Sequence, residues 1–202
     1  IRLSLVGSEM CIRDSCKIAI NVSSVQLIQA DIVHRILQSL EEFKVPPRLF
    51  EIEITETILM ENVRQAIDSL ERLHARGISI AIDDFGTGYS SLGYLKALPI
   101  NSLKIDRSFV QDICTDDNDQ KIVQTLISMA HSMGMKVVAE GVETRAQYDL
   151  IARYAVDEVQ GNLLSRPVTA GEIEALMQDS ITLVLAGENV VQMPNNSKAR
   201  VN

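Results

Sequence analysis

The chain has no tryptophan, three cysteines, and no charge-free apolar run near the roughly 20 residues that cross a bilayer. The first absence leaves eight Tyr and Phe residues as the only aromatic rings. The second matters more, because Cys11, Cys16 and Cys114 are odd in number and form no CxxC. That pattern suits neither a disulfide framework nor a zinc knuckle, so reduced thiols are expected. No charged, apolar and small-residue leader opens the chain, and a soluble cytoplasmic location is expected, with any membrane tether lying in further domains. A basic excess is also missing: 19 Lys and Arg face 27 Asp and Glu, for a net charge of −8. An acidic surface does not attract polymeric nucleic acid broadly, so a phosphate ligand would have to be held by metal ions or local groups.

What is present is one domain's worth of amphipathic pattern, able to bury about 70% of its unfolded surface. Residues 1–15 show no sustained period, and SEMCIRDS resembles translated sequencing-adapter read-through, so this segment is expected to be non-native. From Cys16 onward, short β-branched runs alternate with longer helical patterns that stop at Gly or Pro. Strands are expected at 17–21, 50–55, 78–83, 102–105, 136–140 and 157–160. Helices are expected at 25–43, 57–76, 120–133, 144–154 and 170–178. Residues 180–202 read as a C-terminal tail.

Each strand ends in, or just beyond, a residue that binds metal or moves protons. Asn21, Glu53 with Glu56, Asp83 with Asp84, Lys104 with Asp106, Glu140 with Glu143, and Gln160 occupy these ends. Their mean spacing of about 28 residues is near the roughly 31 per unit of a (β/α)₈ barrel, which collects its active site at the C-terminal strand ends. An open doubly wound sheet would concentrate its site at one or two crevices, so the ring favours the barrel. Six units over 16–179 are two short of eight. The expected fold is therefore an α/β, TIM-like (β/α) barrel, N-terminally truncated and incompletely closed, with exposed strand edges.

Asn, Glu and paired Asp are hard oxygen donors, and Cys and His are missing from the ring, which suits Mg²⁺ or Mn²⁺. A strand turning out of the sheet at Asp83-Asp84 can aim both carboxylates at two ions about 4 Å apart. Gly86-Thr87-Gly88 allows unusual backbone angles beside them, and Ser90 or Ser91 is placed to cap the next short helix. Lys104 shares a strand face with Asp106 and offers a cation to a water or a phosphate oxygen. The ring supports a metal-dependent hydrolase or lyase. The plain alternatives are a solvated turn for the Asp pair, and salt-bridge or cap roles for Glu56, Asp106 and Glu143. His34, His74 and His131 fall on helices away from the ring, Cys114 reads as an inert thiol, and Met129, Met133 and Met135 read as core.

Six segments carry a family resemblance: Asn21-Val-Ser-Ser, Glu53-Ile-Thr-Glu56-Thr, Ile82-Asp-Asp-Phe-Gly-Thr-Gly-Tyr-Ser-Ser-Leu92, Leu103-Lys-Ile-Asp-Arg-Ser-Phe109, Val138-Ala-Glu-Gly-Val-Glu-Thr144 and Gln160-Gly-Asn-Leu-Leu-Ser-Arg-Pro167. In order and spacing they resemble the EAL-domain family of bacterial cyclic-di-GMP phosphodiesterases, built on a modified TIM barrel. The resemblance implies hydrolysis of cyclic-di-GMP to linear pGpG with two ions, Mg²⁺ or Mn²⁺. It implies Asn21, Glu53, Asp83, Asp84 and Asp106 as metal ligands, Lys104 as holder of the attacking water, and Glu140 as general base or second-ion carboxylate. Glu56 would fix the loop after Asp84, with Glu143 and Gln160 near metal or substrate. A homodimer formed through the region after Asp84 is expected by the same analogy.

Two departures temper these expectations. The family's signature Glu-Ala-Leu, with its metal-ligand Glu, is absent from its place, and the Glu-Ala-Leu at 174–176 falls in a helix after the barrel motifs. Asn162 stands where an aromatic residue is usual, which weakens guanine stacking. Little or no turnover is therefore expected of the 202-residue chain itself. The competing readings are a catalytically silent cyclic-di-GMP receptor or interaction module, and an enolase-like barrel in which Lys104 abstracts a proton.

Overall fold

The computed structural model describes residues 17–56, 63–88, 92–169 and residue 172. Six parallel strands follow one another in chain order: β1 (Ile18–Asn21), β2 (Phe50–Thr55), β3 (Ser79–Phe85), β4 (Ser102–Ile105), β5 (Lys136–Ala139) and β6 (Glu158–Val159). The helices are α1 (Ser24–Leu27), α2 (Ile32–Glu42), α3 (Val63–His74), α4 (Leu92–Leu95), α5 (Arg107–Gln111), α6 (Asp117–Ser132) and α7 (Arg145–Arg153). None among the described residues is long and apolar enough to cross a membrane.

The period-2 alternation of the strands sorts side chains onto two faces. Ile52, Ile54, Ile80, Ile82, Leu103, Ile105, Val137 and Ala139 face the helices and form one core with Leu27, Val33, Leu70, Val123, Ile127 and Ile151. The opposite face carries Glu53, Asp83 and Lys104, which meet one another there. Lys104 Nζ on β4 lies 2.9 Å from Glu53 Oε1 on β2, across the intervening β3. Ser102 Oγ likewise reaches Glu51 Oε2 at 3.4 Å. Backbones two strands apart are separated by roughly 10 Å, so these side chains converge over the concave side of a curled sheet.

The result is a half-barrel. Among the described residues β1 and β6 are not paired with each other, and the incomplete closure read from the unit count is what the sheet shows. At the β1 edge Ile18 and Ile20 are 46% and 36% exposed.

Three local features depart from the expected pattern. The helix anticipated at 25–43 is two helices, interrupted at 28–31. On a continuous helix Leu27 would point away from Ile36, because nine residues turn half a revolution out of phase. The break rephases the stripe, and Leu27, Ile32, Val33, Ile36 and Leu40 are all buried. β3 runs two residues beyond the expected end, through Asp84 and Phe85, with a register irregularity between Ile82 and Phe85. The short α5, capped by Asp106, was not anticipated because five residues are too few to show a helical period.

Met135 is buried, but Met133 is 38% exposed and is not part of the core. His131 is a surface residue whose Nε2 lies 2.8 Å from Asp157 Oδ2, and Cys114 is exposed. The segments 1–15 and 180–202, most of the expected helix 170–178 with its Glu-Ala-Leu, and Ser90 and Ser91 lie outside the described residues.

Candidate metal and catalytic centre

Lys104 is the hub of the concave face. Its Nζ lies 2.9 Å from Glu53 Oε1, 2.8 Å from Asp83 Oδ1 and 2.7 Å from Glu140 Oε1. An ammonium has three N–H donors and no acceptor, so each donor meets one carboxylate. The lysine is 2% exposed, which makes these partners a requirement for keeping the charge there. Burial alone would pull its pKa down; the charge of Glu140 and hydrogen bonds to Asp83, Glu140 and Glu53 reverse this and push it well above the ordinary lysine range. Lys104 is a cation throughout neutral pH.

Asp83 and Asp84 could not face the same site on a regular strand, where neighbours point to opposite faces. The irregularity at the end of β3 resolves this. Asp84 adopts φ 54°, a left-handed conformation that Asp tolerates better than most residues. As a result, oxygens of Asp83, Asp84 and Glu140 lie within 4.8 Å of one another. Such a cluster of hard oxygens suits a hard divalent cation.

Proton affinities within the cluster reflect crowding. Burial raises the Asp84 carboxyl above the usual range, followed by the like charges of Asp83 and Asp106 and a hydrogen bond with Asp106. Asp106 moves the other way. Burial raises it, but hydrogen bonds from Ser108, the Arg107 backbone and Asp84 outweigh that and lower it. Of the two, Asp84 is the one that takes up a proton first as pH falls. Glu140 is raised by burial, with Lys104 only partly offsetting the effect and Asp83 and Glu53 adding to it. A cation would relieve the crowding at Asp84 and Glu140, so the donor set fits a metal both chemically and electrostatically.

The remaining ring residues are arranged around this centre. Asn21 ends β1 in register with Glu53, and the Val22 amide donates to the Glu53 carbonyl at 2.9 Å. Glu56 Oε2 accepts the amides of Gly86 and Gly88, both at 3.1 Å, and so holds the turn that follows Asp84. Its Oε1 is buried with no hydrogen-bond partner among the described residues. Glu56→Ala is expected to destabilise the protein by about 1–3 kcal/mol by orphaning these amides. Glu56→Gln keeps an acceptor for both and should cost much less, a contrast that urea melts measure.

Glu143 is exposed and accepts from Asn162 Nδ2 at 3.3 Å. It is not among the grouped carboxylates. Gln160 directly follows β6, and its backbone carbonyl accepts from the Val142 amide at 3.1 Å. The following Gly161 lies so close to Val142 that an added Cβ would overlap that residue's backbone N and O. Gly161→Ala is therefore expected to destabilise by about 3 kcal/mol, because backbone cannot yield as a flexible side chain does; thermal denaturation checks it.

One residue escaped the sequence reading. Gln147 on α7 is 7% exposed, and its side chain makes four hydrogen bonds to backbone, two in the loop after β5 and two at the end of α5. The available signal was the Thr144-x-x-Gln147 spacing of a capping box at the expected start of that helix.

Comparison with known proteins identifies the family. The cyclic di-GMP phosphodiesterase NbdA of Pseudomonas aeruginosa is 43% identical over 162 residues, covering 80% of this chain and 21% of NbdA. The chain thus spans about one fifth of the length of such a relative. Among solved structures, the PaMucR phosphodiesterase in complex with c-di-GMP superposes with a TM-score of 0.76 at 39% identity, covering 80% of this chain and 65% of that one. The manganese/cyclic-di-GMP complex of Klebsiella pneumoniae BlrP1 gives a TM-score of 0.71 at 34% identity, with coverages of 75% and 39%. The EAL domain model matches residues 5–167, the stretch that contains every strand and every carboxylate of the centre, and the chain belongs to the EAL-domain family.

Proposed function

We propose that the centre is the site of a metal-dependent phosphodiesterase that hydrolyses cyclic-di-GMP to linear pGpG, using two ions, Mg²⁺ or Mn²⁺. The observation that carries this reading is the convergence of Glu53, Asp83, Asp84 and Glu140 around Lys104 in one mouth of the half-barrel. Asp83, Asp84 and Glu140 would hold one ion, with Asp106 close to the second and Asn21 and Glu53 as further ligands. Bound there, the ions would supply charge neutralisation for a phosphodiester and lower the pKa of a water. The similarity to complexes of c-di-GMP, one of them with manganese, supports the same substrate class and metal type.

The chain's own residues divide the remaining work. Lys104 fixes three carboxylates in the mouth and can take up a water only when one of them is drawn away, since all three donors are in use. Glu140, with its raised proton affinity, is suited to accept a proton from an attacking water. Glu56 holds the Gly86–Gly88 turn and thereby the angle of Asp84.

The test incubates the chain, extended by a strand bearing the family's Glu-Ala-Leu, with cyclic-di-GMP and Mn²⁺ and separates the nucleotides by chromatography. Metal-dependent formation of pGpG, abolished by EDTA, is expected of the extended protein, and little or no turnover of the 202-residue chain alone. Binding without product would select the silent receptor, and neither binding nor product would overturn the reading.

A further inference from the structure

We propose that Gln147 is a positioning residue for the metal centre, an inference that rests on the proposed metal-dependent reading of that centre. Its side-chain oxygen accepts the amides of Glu143 at 2.9 Å and Thr144 at 2.8 Å. Its Nε2 donates to the carbonyls of Val110 at 3.2 Å and Gln111 at 3.0 Å. Both lone pairs and both N–H groups of the amide are used, so the side chain is a saturated bridge between the loop after β5 and the end of α5.

The bridged segments carry the carboxylates. Glu140 begins the loop that Gln147 grips at 143 and 144, and Asp106 caps the opposite end of α5, accepting the Ser108 amide at 3.0 Å. The short helix is a wedge between the two arms of the centre. Phe109 abuts Gly86, where an added Cβ would come within 2.8 Å of the ring, next to the Asp84 turn. Arg107 abuts Gly141, which has φ +68° and no room for a Cβ, next to Glu140. Pulling α5 against the Glu140 loop sets the distance between Glu140 and the Asp84–Asp106 pair. Gln147 does this without touching any ligand side chain.

The substitution that isolates the tie is Gln147→Glu. A carboxylate still accepts from both amides at the N-terminus of α7, but it has no donor for the α5 carbonyls and repels them. The probe is Mn²⁺ alone, titrated into the full chain and followed by the paramagnetic resonance of the free ion, with melting temperatures measured alongside. Thr144→Ala is the structural control: it removes the hydroxyl that caps Gln147 N but keeps the amide that Gln147 grips. Gln147→Glu is expected to weaken Mn²⁺ binding about 10-fold, the lower end for partners outside the ligand set. Thr144→Ala should lower the melting temperature and leave Mn²⁺ affinity unchanged.

Wild-type affinity in Gln147→Glu, or losses in both variants that track their melting temperatures, would overturn the positioning role while leaving the metal centre intact. A wild-type chain that binds no Mn²⁺ would overturn the metal reading and this inference with it. Should Gln147→Glu not fold, amide exchange in the wild type decides: the Glu143 and Thr144 amides are expected to exchange about tenfold or more slower than free amides. Unprotected exchange there would refute the tie.

Discussion

Replacing Lys104 with Met is expected to cost the metal-free protein about 3–5 kcal/mol at pH 7, the range for removing one partner of a buried ionic cluster. The methionine fills similar volume, so the loss is electrostatic: Glu53, Asp83 and Glu140 are left facing one another without the ammonium that now meets all three. The variant's pH dependence distinguishes this from a packing defect. Crowded carboxylates bind protons more readily folded than unfolded, so the variant should regain stability as pH falls from 7 towards 4, the direction in which most proteins lose it. Mn²⁺ should also restore stability by replacing the missing charge. In the wild type Lys104 has a folded pKa above its unfolded value. Its own titration accordingly leaves the contribution in place from neutral pH up to about 10.4 and removes it at higher pH. Urea melts of both proteins across pH, with and without Mn²⁺, measure all of these effects. Equal stability at pH 7 would contradict the buried cluster.

Metal affinity is expected to rise with pH more steeply than ordinary carboxylates would produce. Glu140 and Asp84 both hold protons above the usual range, and a cation must displace them. Below the pKa of a displaced proton, affinity rises about tenfold per pH unit, and the slope flattens once that group is ionised. Two raised groups predict an initial slope approaching two protons per ion, falling away as pH passes each raised pKa. The apo protein runs the other way, because protonating either group in the folded state stabilises it. Acid should therefore loosen the ion before it unfolds the chain. Mn²⁺ titrations between pH 5 and 8 in buffers of different protonation enthalpy count the protons released. Glu140→Gln should flatten the profile by about one proton and weaken binding, since an amide is a poorer ligand than a carboxylate. A pH-independent affinity would mean that the carboxylates are already ionised without the ion.

The β-α order, the parallel sheet and the ring of polar strand ends were legible because each is written in local periodicity. Alternation in FEIEIT and SLKI places Glu53 and Lys104 on the face opposite the isoleucines and leucines, whatever the rest of the chain does. The spacing of the polar ends favoured a barrel over an open sheet, and hard oxygens without Cys or His narrowed the metal class. Other features were only half legible. Adjacent Asp83 and Asp84 marked a site, but their shared aim depends on a left-handed backbone at Asp84 that no propensity would assign to an aspartate at a strand end. The break at 28–31 is hidden in the sequence because Ile28 and Ile32 keep helical spacing and mask the phase error at Leu27.

The residues on this chain by themselves determined which chemistry is available: acidic oxygens, one buried lysine and glycine turns, set at strand ends by period and spacing. Only the tertiary structure decided which of these groups share a site. Lys104 and Glu53 come from strands that are not neighbours and meet because the sheet curls. Gln147 ties the loop after β5 to the end of α5 because the fold brings these two segments together. Curl and loop packing are long-range properties of the whole hydrogen-bonded sheet and its core, and a local pattern carries no record of them.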